Sequence, residues 1–382
     1  MSASRMKRPD IQTLRALAIS AVLAFHLRPD LFPLGYLGVD VFFVISGYLM
    51  AMMLHRVEKL TAKEVFGFYW RRISRIIPLY AVVICAVVIV ARFILAPIDY
   101  ARLAVDTRWS LAFAANSQQF IDSTDYWTEV NESPILLHMW SLGAEVQYYL
   151  IVPLLALLQR YFKRHNQEFE YLGFMAFGAP GSFLSFSLSS TNAAFLFMPN
   201  RIWQFSVGSI AYAIFRAQDE EHGDGKGSIE FSRCHVIFLH VTARIKSIVF
   251  IVLLCICCAP FQVSICLPVQ DFEMLKWRFV CLQVVPVFLF RVFVNLGNAS
   301  YSLYLVHWPV ITLYKYACDM KILDFAGVSF CLLTSVCISI FAYRFIELNL
   351  ASASRIMIVI AVTSLYAVIF VVTSFELSAH LT

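Results

Sequence analysis

Long apolar runs separated by short polar or charged stretches fill the chain, with no sustained alternation of apolar and polar positions. Read as helices, they predict membrane spans at residues 11–28, 35–54, 76–96, 136–158, 170–190, 194–215, 246–267, 278–295, 299–318, 322–343 and 356–376. Each approaches the ~20 apolar residues that a helix needs to cross a bilayer. Continuous hydrophobicity selects helices over a barrel, because a helix satisfies its own backbone in lipid. The expected fold is an all-α polytopic membrane protein of about ten or eleven transmembrane helices, with residues 1–382 forming one membrane domain.

Composition agrees. The chain is 60% hydrophobic and 14% charged, with a mean hydropathy of +0.72, whereas a soluble domain averages about 45–50% apolar and about 25% charged residues. The basic N-terminal MSASRMKRPD and an apolar stretch follow the order of a signal peptide, but Arg15 interrupts the run and no A-x-A site follows, so a retained first span is expected.

Charge then predicts orientation. Lys59, Lys63, Arg71, Arg72 and Arg75 make the loop at residues 55–75 basic, as Arg160, Lys163 and Arg164 do after the fourth span and Arg216, Arg244 and Lys246 do between the sixth and seventh. The stretch at 97–135 instead carries Asp99, Asp106, Asp122, Asp125, Glu129 and Glu132 against Arg102 and Arg108. Positive loops stay in the cytosol, so 97–135 reads as an outer loop, 218–245 as a flexible cytosolic loop, the N-terminus as cytosolic and the C-terminus as outer or lumenal. An Asn131-Glu132-Ser133 sequon in the outer loop agrees, although Pro134 follows it. The ten cysteines lie mostly within spans and lack metal-ligand spacing, so neither a metal site nor a bound cofactor is expected.

Within and beside the spans, Arg15, His26, Asp40, His138, Glu145, Arg201, His307, Arg344 and Glu347 stand out. A charge at mid-span costs about 2.5–3.5 kcal/mol on insertion scales and usually faces a cavity or a partner. Simpler readings compete: Arg15 near the end of its helix can snorkel to the headgroups, His26 can be interfacial, and Arg71, Arg72 and Arg75 can be topology signals only. Glu145 is harder to dismiss, with no cation within a turn on either side. Arg15 and His26 are eleven positions apart, about three turns and about 16 Å, which returns both to one face.

RPDIQTLRALAISAVLAFH, with Arg15 and His26, is followed in order by GYLGVDVFFVISGYLM, FYWRRISRIIPLY, LLHMWSLGAEVQYYLIVP, NRIWQFSVGSIAYA, GNASYSLYLVHWPVI and YRFIE. This series resembles the acyltransferase type 3 family of membrane O-acyltransferases, which modify sugars in bacteria and have animal and nematode homologues. Coverage runs from about residue 8 to 348. The resemblance implies an acyl group, commonly acetyl, taken from cytosolic acyl-CoA as co-substrate and delivered to a hydroxyl of a carbohydrate or lipid on the outer side. It implies His26 as the essential histidine with Arg15 as its partner, Arg72 and Arg75, with Arg71 beside them, at the acyl donor, and Glu347 as the late acidic residue. Asp40 is expected, from chain order, to orient His26. His138, Trp140, Glu145, Arg201, Ser300, Tyr301, His307 and Arg344 are expected to line or support the cavity.

Histidine titrates near pH 6.5 and suits proton removal from an attacking hydroxyl, and guanidinium forks suit the phosphates of coenzyme A. Departures from the family are Gln204 and Val146 where acidic residues are usual, and an unusual stretch at 268–294. Many family members continue into an SGNH hydrolase-like domain. This chain stops at Thr382, so a stand-alone membrane enzyme, a truncated sequence or an isoform is expected. A transporter or a catalytically inactive homologue would use a similar polar cavity; the ordered motif set discriminates against the first, and retention of His26, Arg15, Arg72, Arg75 and Glu347 against the second.

Overall fold

The computed structural model describes residues 8–57, 60–121, 134–164, 181–185, 187, 196–223 and 291–381. Among these residues every regular element is helical. Six helices are long and apolar enough to cross a membrane: Pro9–Leu27, Leu37–His55, Ala62–Ile94, Met139–Leu158, Phe325–Leu350 and Arg355–Ser374. They fall where the first four, the tenth and the eleventh spans were expected, and the chain is an all-α polytopic membrane protein. Of the expected fifth span only 181–185 and 187 are described, of the eighth only 291–295, and the seventh lies outside the described residues, as do the sequon and most of 218–245.

Three expectations are corrected. The third span was expected at residue 76, but its helix, α3 (Ala62–Ile94), starts fourteen residues earlier and takes in Arg71, Arg72 and Arg75. Thr61 caps it by accepting a hydrogen bond from the Glu64 amide at 3.3 Å, and basic side chains are good helix formers, so a hydropathy window sees the span but not the whole helix. Its 33 residues make about 50 Å of helix, well beyond a hydrocarbon core of about 30 Å. The segment 97–135, expected as a loop, contains α4 (Pro97–Leu111) and α5 (Ala115–Ile121). Its first half is amphipathic, burying Tyr100, Leu103, Ala104, Thr107 and Ser110, and the Tyr80 hydroxyl donates to the Ser110 carbonyl at 2.7 Å. Residues 218–223 are the last turns of a helix rather than loop.

The chain divides into two compact units. The smaller, Met1–Phe42 with Ala213–Ser300, holds α1 (Pro9–Leu27), which opens with proline in its first turn and closes with the Arg28 amide on the Ala24 carbonyl at 2.9 Å. In the following loop Arg28 grips Asp30 through two nitrogens, at 3.0 and 2.7 Å, and that guanidinium holds the exposed carboxyl below the usual carboxylate range.

The larger unit, Phe43–Tyr212 with Tyr301–Thr382, holds most of α2 (Leu37–His55), then α3 to α5, α6 (Met139–Arg164), α7 (Ile202–Gly223) up to Tyr212, α8 (Ser300–Ala317) from Tyr301, α9 (Phe325–Phe341), α10 (Leu348–Ser352) and α11 (Arg355–Leu381). Side-chain contacts fix relative directions within it. Phe43 meets Trp140 while Arg160 bonds the Val57 carbonyl, and Phe43 meets Phe205 while Tyr48 meets Tyr212, so α2, α6 and α7 run parallel. Tyr304 bonds His138 and Trp308 bonds Pro134, so α8 runs opposite to α6. Tyr301 reaches Ile76 and Tyr316 reaches Ala96, so α8 runs with α3. For α2, α3 and α6 this is the alternation that three consecutive crossings demand.

Helices in lipid gain nothing from burying apolar surface against each other, so small residues that permit close approach carry the packing. A Cβ on Gly47 of α2 would land on the Phe205 carbonyl, and one on Gly208 of α7 on the Val44 carbonyl and 2.7 Å from the Tyr48 amide nitrogen. The two backbones are therefore in reciprocal contact, tied further by the Ser209 hydroxyl donating to the Gly47 carbonyl at 3.3 Å. Gly47→Ala and Gly208→Ala are each expected to lower stability by about 1–3 kcal/mol through overpacking, read as earlier thermal unfolding of the detergent-solubilised protein. Gly181→Ala, where nothing among the described residues lies within 4 Å, is the neutral comparison.

Candidate active site

The predicted residues divide between the units. In the smaller one, Arg15 and His26 are half-buried on α1. Added Cβ atoms at Gly35 and Gly38 would strike the carbonyls of Ala21 and Ala18 and approach Phe25 and Val22, so that stripe of α1 faces the start of α2. At about 100° per residue, Arg15 and His26 lie together to one side of this seam. The same register places Asp40, in the first turn of α2, at the depth of Ala16, within about a residue of Arg15 and nearly three turns from His26. Chain order suggested the reverse pairing. Ser300 is buried with its hydroxyl on the Gly297 carbonyl at 2.8 Å, a helix-entry contact.

In the larger unit three helices converge on Glu145. Ser46 of α2 and Tyr149 of α6 both donate hydroxyl hydrogen bonds to its Oε1. The Arg72 guanidinium of α3 lies 5.3 Å from the centre of the Tyr149 ring, with Nη2 at 2.6 Å from the Met53 sulfur. Its Nε is buried and has no hydrogen-bond partner among the described residues. A cation over an aromatic face retains favourable electrostatics without a paired anion. Arg75, three residues on and so on the same side of α3, is exposed, as is Arg71.

Two further residues join from the end of the chain. The helix α9 continues as a π-turn, Ala342–Glu347, a distortion often found at functional sites. From it Glu347 Oε2 accepts the Ser302 hydroxyl at 2.8 Å, and the neighbouring Tyr301 hydroxyl lies in the electrostatic field of Glu347, Glu145 and Arg75. Arg344 is exposed. The structure thus brings Arg72, Arg75, Glu145, Tyr301 and Glu347 into one polar cluster.

His138 and His307 form a second group, with ring centroids 5.8 Å apart and both buried. Arg201, 1% exposed, sits on a 3-10 turn (Met198–Arg201) with its guanidinium 5.4 Å from the centre of the buried Trp140 ring. Gln204 is fully buried and neither amide atom has a partner among the described residues; a carboxylate there would face the same surroundings with the added cost of its charge. Sequence reasoning missed Ser46, Tyr149, Ser302, Ser141 and Tyr304 as site residues. One signal was available: Tyr149 follows Glu145 by four residues, the spacing that stacks side chains on a helix. Among the described residues there is no cluster of three or more His, Cys, Asp or Glu able to hold a metal.

Comparison with known proteins adds the following. A family model described as an acyltransferase domain matches residues 8–344. The O-acetyltransferase OatA of Staphylococcus aureus (strain NCTC 8325 / PS 47) is 34% identical over 163 residues, which are 41% of this chain and 26% of that protein. The peptidoglycan O-acetyltransferase OatA of Listeria monocytogenes is 37% identical over 151 residues, 39% of this chain and 24% of that protein. A provisionally named O-acetyltransferase of Staphylococcus aureus (strain COL) is 26% identical over 355 residues, 89% of this chain and 56% of that protein. The chain therefore spans about a quarter to just over half the length of these relatives. No solved structure matches.

Because Glu145 accepts two hydroxyl hydrogen bonds, Glu145→Ala should strand both donors and destabilise the protein by about 1–3 kcal/mol. Glu145→Gln, which keeps an acceptor oxygen, should recover most of that loss. Thermal unfolding of the two variants side by side in detergent provides the measurement.

Proposed function

The chain belongs to the acyltransferase domain family whose model matches residues 8–344, and from that membership we propose that it is a membrane O-acyltransferase, moving acetyl from cytosolic acetyl-CoA to a hydroxyl on the outer side of the membrane. The acceptor class is carbohydrate, in keeping with the peptidoglycan named for the Listeria relative. The observation that carries the reading is the state of Arg72: its guanidinium is held against Tyr149 and Met53, while its Nε is buried without a partner. A cation fixed in place with donor capacity to spare suits an anionic group arriving from outside the fold, and the phosphates of coenzyme A are such groups. Exposed Arg75 and Arg71 on the same helix extend the positive surface by which that substrate enters.

The chemistry follows from residue types. His26, as general base, accepts the proton of the acceptor hydroxyl while its oxygen attacks the thioester carbonyl. The carbon–sulfur bond then breaks, giving an ester and the coenzyme A thiolate, which takes up a proton. Arg15, on the same side of α1 about three turns toward the donor end, binds the pyrophosphate of the arriving coenzyme A. Asp40, at Arg15's depth, balances that guanidinium's charge. Glu347, anchored by Ser302, sets the field at Tyr301 beside the arginines.

His26→Ala should lower acetyl transfer from acetyl-CoA by about 100-fold or more with expression and thermal stability retained; a variant of full activity would remove His26 from the mechanism. Arg72→Ala with Arg75→Ala should weaken coenzyme A binding about tenfold or more, since each lost charge-assisted contact is worth about 1.5–3 kcal/mol. Calorimetric titration of the purified protein reads this directly, and unchanged affinity would sink the donor-site assignment.

A further inference from the structure

A guanidinium and a carboxylate that share a low-dielectric interior attract strongly, and an arginine beside an acid normally closes on it as a two-pronged ion pair. Around Arg72 and Glu145 that pairing is absent. Arg72 lies in the field of the Glu145 carboxylate, yet among the described residues no carboxylate is bonded to it. Glu145 Oε1 is taken up instead by the hydroxyls of Ser46 and Tyr149, and the Tyr149 hydroxyl is also 3.4 Å from that of Ser46.

The ring of Tyr149 stands between the two charges. Tyr149 follows Glu145 by four residues and so lies one turn further along the same side of α6. On α2, which runs parallel to α6, Ser46 marks the level of Glu145. Met53, whose sulfur meets Arg72 Nη2, comes seven residues later, about 10 Å further along that helix. Arg72 therefore approaches Glu145 from the C-terminal side of both helices, and the buried Tyr149 ring lies in its path. Its hydroxyl is on the carboxylate, and the guanidinium carbon is 5.3 Å from the ring centre.

The contacts that hold Arg72 are weak ones. A thioether accepts a hydrogen bond poorly, a ring face attracts the cation without filling its N–H groups, and the buried Nε has no acceptor among the described residues. A direct pair with Glu145 would cancel the charge and fill the planar fork that an anionic ligand needs. An arginine that only tied α3 to α6 would gain most from that pair, whereas one that receives an incoming anion has to be kept from it. We propose that Tyr149 is a positioning residue for donor binding: it holds the Arg72 guanidinium on its ring face and keeps it from Glu145, so that the charge and its N–H groups stay open to the phosphates of coenzyme A. The proposal rests on the donor-site reading above. Glu145 fixes the ring through the Tyr149 hydroxyl, and it is also the charge that would capture Arg72 if the ring were gone.

Calorimetric titration of the purified full-length protein with coenzyme A provides the test, with thermal unfolding of each variant alongside. Tyr149→Leu, which removes the ring and opens the path from Arg72 to Glu145, should weaken binding about tenfold. Tyr149→Phe keeps the ring and should bind within about threefold of wild type. Tyr149→Leu combined with Glu145→Gln should recover most of the loss in affinity, because the competing charge is gone, although the combined variant is no more stable than Tyr149→Leu alone. A purely structural role predicts the reverse, since a second substitution in the cluster would add to the damage. Wild-type affinity in Tyr149→Leu overturns the proposal, and so does a combined variant that binds no more tightly than the single one. Should leucine at this position prevent folding, Tyr149→Met, whose flexible side chain refills the space, carries both arms. Arg72→Ala separates the two readings. If it binds coenzyme A as tightly as wild type, the donor-site reading fails and the positioning role with it; if it binds weakly while Tyr149→Leu binds normally, only the positioning role falls.

Discussion

A carboxylate at membrane depth is tolerated only where protein replaces the water it has lost, and the larger unit is organised around meeting that demand at Glu145. The two hydroxyls come from different helices, Ser46 on α2 and Tyr149 on α6. The nearby positive charge comes from a third, Arg72 on α3. None of these helices can rotate or slide by a residue without exposing a buried polar atom to an apolar neighbour. The cluster therefore fixes helix register as well as chemistry, a role in which polar contacts in membrane proteins can matter more than their modest net energies.

Close backbone approach makes the convergence possible. Gly47 immediately follows Ser46, and its contact with the Phe205 carbonyl brings α2 against α7 at the same level at which Ser46 reaches Glu145. A larger residue at 47 would push the two helices apart at this crossing and disturb the polar cluster without touching it. In the smaller unit Gly35 and Gly38 press on the Ala21 and Ala18 carbonyls, holding α1 at a fixed rotation. That rotation fixes Arg15 and His26, which their spacing puts on one side of the helix, to the side of the seam with α2. In both places the glycine carries no chemistry, yet a side chain there would displace the residues that do.

Much of this was legible in the sequence, and the remainder was not for definite reasons. The spans α1, α2, α9 and α11 were predicted to within a few residues because hydropathy reports the membrane directly. It does not report helix outside the membrane, so the first turns of α3 read as a basic loop although Thr61 and a run of helix formers were in view. The amphipathic α4 escaped for the same reason, its polar face masking its buried one. At the site, spacing alone placed Arg15 and His26 on one side of a helix. Contacts such as Ser46 with Glu145, ninety-nine residues apart, or Ser302 with Glu347, forty-five apart, have no local signature. Asp40 shows the limit of chain order: its distance along the chain from His26 says little about depth, because the intervening turn carries α2 back down past Ala18.

Glu347 shows how a small backbone irregularity serves the site. An α-helix advances 100° per residue, and a π-turn, with an extra residue in its ring, delays that rotation and shifts every later side chain around the axis. The π-turn Ala342–Glu347 interrupts a helix whose preceding turns bury Cys331, Ser335 and Ser339, a stripe of small side chains spaced by four. Continued without interruption, the four-residue rhythm would bring Tyr343 and then Glu347 onto that stripe with the steady angular drift of a regular helix. The π-turn resets the drift just before Glu347, and the carboxylate meets the buried Ser302 hydroxyl. The helix gives up regular hydrogen bonding over one turn, and in return an acidic group is anchored on Ser302 within the electrostatic reach of Tyr301.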